Sequence, residues 1–210
     1  MLRTLILRVL CSLLLTLALH DAVDAAAPPT ILVFGDSISA AYGIRVEEGW
    51  VALLQKRLAK QGYGYRVVNA SVSGETTGGG ASRLARALEL QKPVIVVVEL
   101  GGNDGLRGLP LVEVRKNLET MADQAHDAGV RMVVLGMRIP PNYGQQYTER
   151  FHALFGDVAQ RYSLPYVPFL LEGVAFNDKL MQHDGIHPTA EAQSRLLDAV
   201  WVALEPLLKR

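Results

Sequence analysis

The chain has 210 residues, half of them apolar and one fifth charged, enough for one domain with a substantial core. Its 21 basic and 21 acidic residues give zero formal net charge, which argues against nucleic acid as a partner, because such binding usually needs a basic face. No internal repeat, low-complexity tract or long apolar span follows the N-terminal segment, so the body of the chain is not expected to cross a membrane.

Residues 1–26 stand apart. Arg3 and Arg8 precede a mainly apolar run from Val9 to Leu19, and small residues from Ala22 to Ala27 lead to Pro28-Pro29. That order is the order of a secretory signal, with cleavage expected near Ala25–Ala27 and residues 27–210 left as one domain. The run is too short to span a bilayer core of ~30 Å as a helix. The alternative reading is an uncleaved amphipathic anchor. The only cysteine, Cys11, falls inside the run. The mature chain then has no disulfide and no thiol nucleophile.

Beyond the leader, apolar runs alternate with amphipathic segments. Thr30 to Phe34 reads as a strand that stops at Gly35-Asp36-Ser37. Gly49 to Leu58 has helical apolar spacing, and Gly62 and Gly64 end it. Tyr65 to Asn69 is a second strand, followed by a Ser/Thr/Gly-rich loop from Ser71 to Gly80 and a helix from Ala81 to Leu90. Val94 to Val98 is β-branched throughout, the mark of a central parallel strand buried on both faces. Leu111 to Ala128 is helical. Arg131 to Leu135 is a fourth strand, and Tyr143 to Tyr162 a longer helix. Tyr166 to Phe169 is a short strand that Pro165 and Pro168 confine to an edge. Thr189 to Leu208 closes the chain, with Thr189 as its N-cap. Strands alternating with helices predict an α/β chain with a parallel sheet covered on both faces. Such sheets hold ligands at the carboxyl ends of their strands. The segments to inspect are therefore 35–43, 70–80, 99–110 and 136–143, with the long loop 172–188.

Those loops carry chemistry. Ser37 lies just past a buried strand on a tight turn, although Gly-Asp-Ser could also be a plain strand-to-helix turn capped by Asp36 or Ser37. Asp184-Gly185-Ile186-His187-Pro188 precedes the last helix. Pro188 keeps His187 out of the α region, and Gly185 is free to take a positive φ. An acid three residues before a histidine in such a turn can fix its tautomer and leave the other ring nitrogen as a base. The same turn could merely cap the helix. Asn103 projects an amide donor at the end of the third strand, suited to an oxyanion or to an Asx turn. Gly74 could present a backbone N–H where a side chain would obstruct substrate. His126 and His152 read as surface or half-buried residues. No HxH or cysteine pair is present, and a metal site needs three or four convergent ligands, so no metal is expected. Taken together, these loops offer a nucleophile, an acid–base pair and oxyanion donors, the parts that acyl transfer needs.

In order, Gly35-Asp36-Ser37, Gly74, Gly102-Asn103-Asp104 and Asp184-x-x-His187 resemble the four blocks of the SGNH (GDSL-type) hydrolases. The match runs from about residue 30 to the C-terminus. It is closest to the secreted bacterial thioesterase I-type enzymes, which combine lysophospholipase, thioesterase and arylesterase activities. The resemblance implies a three-layer α/β/α, flavodoxin-like fold with five parallel strands. It implies Ser37 as nucleophile, His187 as base and Asp184 as its orienter. The oxyanion hole would be the N–H of Ser37, the N–H of Gly74 and the Asn103 side chain. The segment Gly105 to Pro110 resembles the family's acyl-binding wall, making Leu106, Arg107, Leu109, Pro110 and Ile139 candidate substrate contacts. No cofactor is implied. The expected partner is a small acyl ester or thioester, with transient contact with membrane lipids, in a periplasmic monomer. Two other readings stay open: a carbohydrate O-acetylesterase of the same superfamily, and a non-catalytic flavodoxin-like lipid-binding module.

Overall fold

The computed structural model describes residues 27–210; the expected leader lies outside the described residues. The most apolar segments form the centre of a five-stranded sheet. Strands β1 (Thr30–Gly35) and β3 (Ile95–Glu99) are buried along their whole length. Beside them lie β2 (Arg66–Asn69), β4 (Arg131–Leu135) and β5 (Tyr166–Val167). The order is β2-β1-β3-β4-β5, every pair parallel. β5 is only two residues long and sits at the edge, flanked by Pro165 and Pro168, as expected of a strand that cannot extend its ladder through proline.

Helices cover both faces. α1 (Trp50–Lys60) turns Trp50, Val51, Leu54 and Leu58 inward and packs with α6 (Gln193–Leu204). On the other face lie α2 (Thr77–Gln91), α4 (Leu111–Asp127) and α5 (Gln145–Arg161), α2 against α4 and α4 against α5. This is the expected three-layer α/β/α, flavodoxin-like arrangement.

Three departures from the sequence expectation bear on the site. α2 begins at Thr77, four residues before Ala81, and runs through Gly78-Gly79-Gly80. Helix-poor glycines are tolerated there because the end is heavily capped. The Thr76 hydroxyl accepts from Gly79 N–H at 3.2 Å. The Asp104 carboxylate accepts from the Thr77 N–H at 2.9 Å and from its hydroxyl at 2.6 Å. Asp104 itself belongs to a short helix, α3 (Gly102–Leu106), in what reads as a loop. The closing helix proper starts at Gln193, after a 3₁₀ turn at Ala190–Ala192. Thr189 does not cap it with its side chain. Its backbone N–H is committed instead to Leu180 O at 2.8 Å, next to an antiparallel bridge between Met181 and Pro188. That bridge closes the 181–188 turn on itself, and Gln182 Nε2 donates to Tyr42 O at 2.8 Å, which ties the turn to the segment after β1. The strand order reverses between β1 and β3, and a crevice opens outside the strand ends at such a switch point.

Candidate active site

Ser37 follows β1 by two residues, on a turn closed by Ala40 N–H to Asp36 O and Tyr42 N–H to Ser37 O, both at 3.0 Å. Asn103 follows β3 on the other side of the switch point. Gly74 follows β2. His187 arrives from the bridged loop, 150 residues after Ser37 in the chain.

The fold closes that sequence gap completely. The Ser37 hydroxyl lies 2.8 Å from His187 Nε2. On the other side of the ring, His187 Nδ1 lies 2.6 Å from Asp184 Oδ2. A carboxylate only accepts, so Nδ1 carries the hydrogen and Nε2 is left to accept from Ser37. Asp184 Oδ1 is held in turn by the N–H groups of Ile186 (2.9 Å) and His187 (3.0 Å). Gly185 takes φ +67°, the left-handed conformation that lets this turn close. Partial burial opposes ionisation of Asp184, but the His187 and Ile186 N–H groups and the His187 ring outweigh it and bring the carboxyl down to about 2. Tyr42 packs on the exposed side of the imidazole, with ring centroids 4.5 Å apart.

Among the described residues, no acceptor takes the N–H of Ser37 or that of Gly74. Gly74 sits at φ +80°, and its carbonyl accepts from Arg107 Nη2 at 3.2 Å. The Asn103 amide donates to Asp36 Oδ2 and to Glu75 O, both at 3.0 Å.

Asp36 is 2 % exposed. Burial pushes its carboxyl up to about 6, against the opposing pull of the Ile38 N–H, Glu99, His187 and Asn103. Glu99, the last residue of β3, is wholly buried beneath the same turn. Burial and the neighbouring Asp36 charge push it well above the usual carboxylate range. Nothing in the local sequence marks Glu99, since one acid at the end of a β-branched run reads as the strand leaving the core.

A groove of about 400 Å³ opens beside the triad. Its lining includes Ile38, Gly102 and Ile186, the chain neighbours of Ser37, Asn103 and His187. Leu106, Ile139 and Pro140 form part of its wall, whereas Arg107, Leu109 and Pro110 do not line it. Arg107 is directed at Gly74, as described above, and the carbonyls of Leu106 and Leu109 accept from the Tyr143 and Tyr147 hydroxyls. The remaining wall includes Met137, Phe176 and Met181, in the loops singled out from the sequence, and Phe169 and Leu171, which lie outside them. His152, half-buried in α5, lies at the same groove with Arg138 Nη2 3.1 Å from its Nε2. Burial and that guanidinium push the imidazole below its ordinary range. Among the described residues no cluster of three or more His, Cys, Asp or Glu side chains could hold a metal, and no helix is long and apolar enough to cross a membrane.

Comparison with known proteins gives a consistent result. Residues 33–195 match the GDSL-like Lipase/Acylhydrolase family. The chain is 53% identical over 192 residues to the esterase TesA of Pseudomonas aeruginosa, covering 91% of this chain and 96% of that one. It is 38% identical over 184 residues to the thioesterase 1/protease 1/lysophospholipase L1 of Escherichia coli K12, covering 88% and 87%. A crystal structure of TesA superposes with a TM-score of 0.84 at 54% identity, over 85% of this chain and 99% of the other.

Proposed function

Because the chain belongs to the GDSL-like lipase/acylhydrolase family and is an ester and thioester hydrolase, we propose that it works through an acyl-enzyme on Ser37. The observation that carries the assignment is the unbroken line Asp184–His187–Ser37, with contacts of 2.6 and 2.8 Å. In the first step Ser37 Oγ attacks the substrate carbonyl while His187 Nε2 takes its proton. The tetrahedral oxyanion is held by the N–H groups of Ser37 and Gly74 and by the Asn103 amide. An oxyanion is a stronger acceptor than the neutral Glu75 carbonyl that the amide now serves. His187 then protonates the departing oxygen or sulfur. Water, deprotonated by the same nitrogen, releases the acid. A fluorophosphonate probe tests the assignment directly. Labelling located at Ser37 by mass spectrometry is expected; a folded chain that stays unlabelled is a binding module instead.

The substrate class follows from the groove. Its wall near Ser37 is aliphatic and aromatic, and its volume falls in the usual ligand-pocket range, which suits an acyl chain longer than acetyl. Each buried methylene contributes ~0.8 kcal/mol, or about fourfold in kcat/KM until the groove is filled. A series of p-nitrophenyl esters from acetate upward is therefore expected to rise steeply before levelling. A maximum at acetate would favour the O-acetylesterase reading. The leader-like residues 1–26 support a periplasmic location, and lysophospholipids or acyl thioesters presented at a lipid surface fit a monomer with this open groove.

A further inference from the structure

Glu99 is a carboxyl in an unusual place, and the triad does not use it. Its Oε2 receives three hydrogen bonds from the nucleophile turn: Ser39 hydroxyl at 2.6 Å, Ser39 N–H at 3.2 Å and Asp36 N–H at 3.3 Å. The chain makes room for it. A Cβ on Gly35 would stand 2.6 Å from Oε2, closer than packed atoms tolerate. Its Oε1 is buried with no donor in reach. An ionised carboxylate leaves that oxygen unsatisfied in the protein interior, at a large cost. A protonated one turns it into a donor. The neighbouring acceptor is the carboxyl of Asp36, whose own backbone N–H already meets Glu99 Oε2 at 3.3 Å. Asp36 already takes the Ile38 N–H on Oδ1 (3.0 Å) and the Asn103 amide on Oδ2 (3.0 Å). Those donors favour the charged form of Asp36, and two buried carboxylates side by side cannot both stay charged. The remaining charged or titratable group facing the pair is His187.

The geometry points to Glu99 as a neutral-acid positioning residue: its uncharged carboxyl clamps the Ser37 turn and, by donating to Asp36, holds the Asn103 amide for the oxyanion. One buried carboxylic acid thereby orients two of the three oxyanion donors, the Ser37 N–H through the turn held on Oε2 and the Asn103 amide through Asp36. The inference rests on the acyl-enzyme reading above. It also explains why the Asp of Gly-Asp-Ser is an acid although it does not orient His187.

The test compares two replacements. Glu99→Gln keeps a neutral group with one acceptor and one donor, and its kcat for p-nitrophenyl butyrate should stay within about threefold of the parent, because both contacts are reproduced. Glu99→Leu keeps bulk but no polar contact. Its kcat should fall about 10- to 100-fold with KM little changed, the size of effect that misplaced catalytic groups produce. Phosphonate labelling of Ser37 should slow in parallel. Equal activity of the Leu and Gln variants would reduce Glu99 to packing and overturn the proposal. A folded Gln variant as poor as Leu would overturn it too, by showing that the anion is required. A measurement on the unaltered protein covers the case in which the Leu variant fails to fold. The assigned carboxyl ¹³C signal of Glu99 should hold a protonated-acid shift from about pH 5 to 8, well above the ordinary Glu range. A carboxylate shift, or a titration inside that interval, would overturn the proposal. This readout does not depend on activity, so it separates failure of the inference from failure of the Ser37 assignment.

Discussion

Ser37→Ala is expected to lower kcat for ester hydrolysis by about 10⁶-fold, the loss that removal of the nucleophile causes in a serine–histidine–acid triad. Labelling by a fluorophosphonate should disappear with it. The protein should remain folded. The hydroxyl's hydrogen bond runs to His187, whose other nitrogen stays anchored on Asp184, and no backbone group depends on the Oγ. The thermal midpoint should therefore lie close to that of the parent, or slightly above it, since active sites often hold polar groups at some cost in stability. Circular dichroism and a melting curve check the fold, and initial rates against p-nitrophenyl butyrate check the chemistry. Turnover within tenfold of the parent, in a folded variant, would remove Ser37 as nucleophile and leave the groove as a binding site.

The strands and the Asp184–His187 turn were legible because their signals are local. β3 reads as a buried central strand from Val94 to Val98 alone, and it lies at the centre of the sheet. Pro165 and Pro168 identify the edge strand in the same way. Asp184 and His187 are three residues apart, and Gly185 and Pro188 restrict the backbone between them enough to suggest the hydrogen bond that forms. The pairing of that turn with Ser37 spans 150 residues, and only the layout of the strands brings the two together.

What was not legible depends on contacts between distant segments. α2 starts early because Asp104, 27 residues downstream, caps Thr77; the three glycines that follow Thr77 argue locally for a loop. Thr189 looked like an N-cap, but its hydroxyl turns to Lys179 O at 3.4 Å and accepts no helix N–H. Glu99 carries no local mark at all, because its role comes from lying under a turn that is 60 residues away in the chain. The groove wall shows the same limit. Leu106 and Ile139 were recognisable as apolar residues in the right loops, whereas Phe169, Leu171 and Phe176 reach the groove only through the folded path of the segment after β5.

The second large effect is expected at Asp184. Asp184→Asn preserves shape and can still accept the Ile186 and His187 N–H groups through its amide oxygen, so the turn should survive. The atom facing His187 Nδ1 then becomes an NH₂ donor. Two donors cannot share the 2.6 Å contact now made there, and the imidazole is driven to the tautomer with hydrogen on Nε2. In that form the nitrogen beside Ser37 donates and cannot accept its proton. A loss of about 10⁴-fold in kcat is the expected consequence of such a tautomer reversal, with KM much less affected. Charge contributes in the same direction, since the carboxylate that stabilises the imidazolium during proton transfer is gone. The same residue makes a second, independent measurement available. Its carboxyl is depressed from 3.8 to about 2, so the folded state binds its proton less readily than the unfolded chain does. Its contribution to stability is complete above the unfolded value and is lost as pH falls through the folded one. The difference in thermal midpoint between the parent and Asp184→Asn should therefore be constant near neutrality and shrink as pH drops from about 4 towards about 2. A rate deficit below tenfold would show that His187 keeps its working tautomer without Asp184. A midpoint difference that ignores this interval would show that the carboxylate is not held by the contacts described.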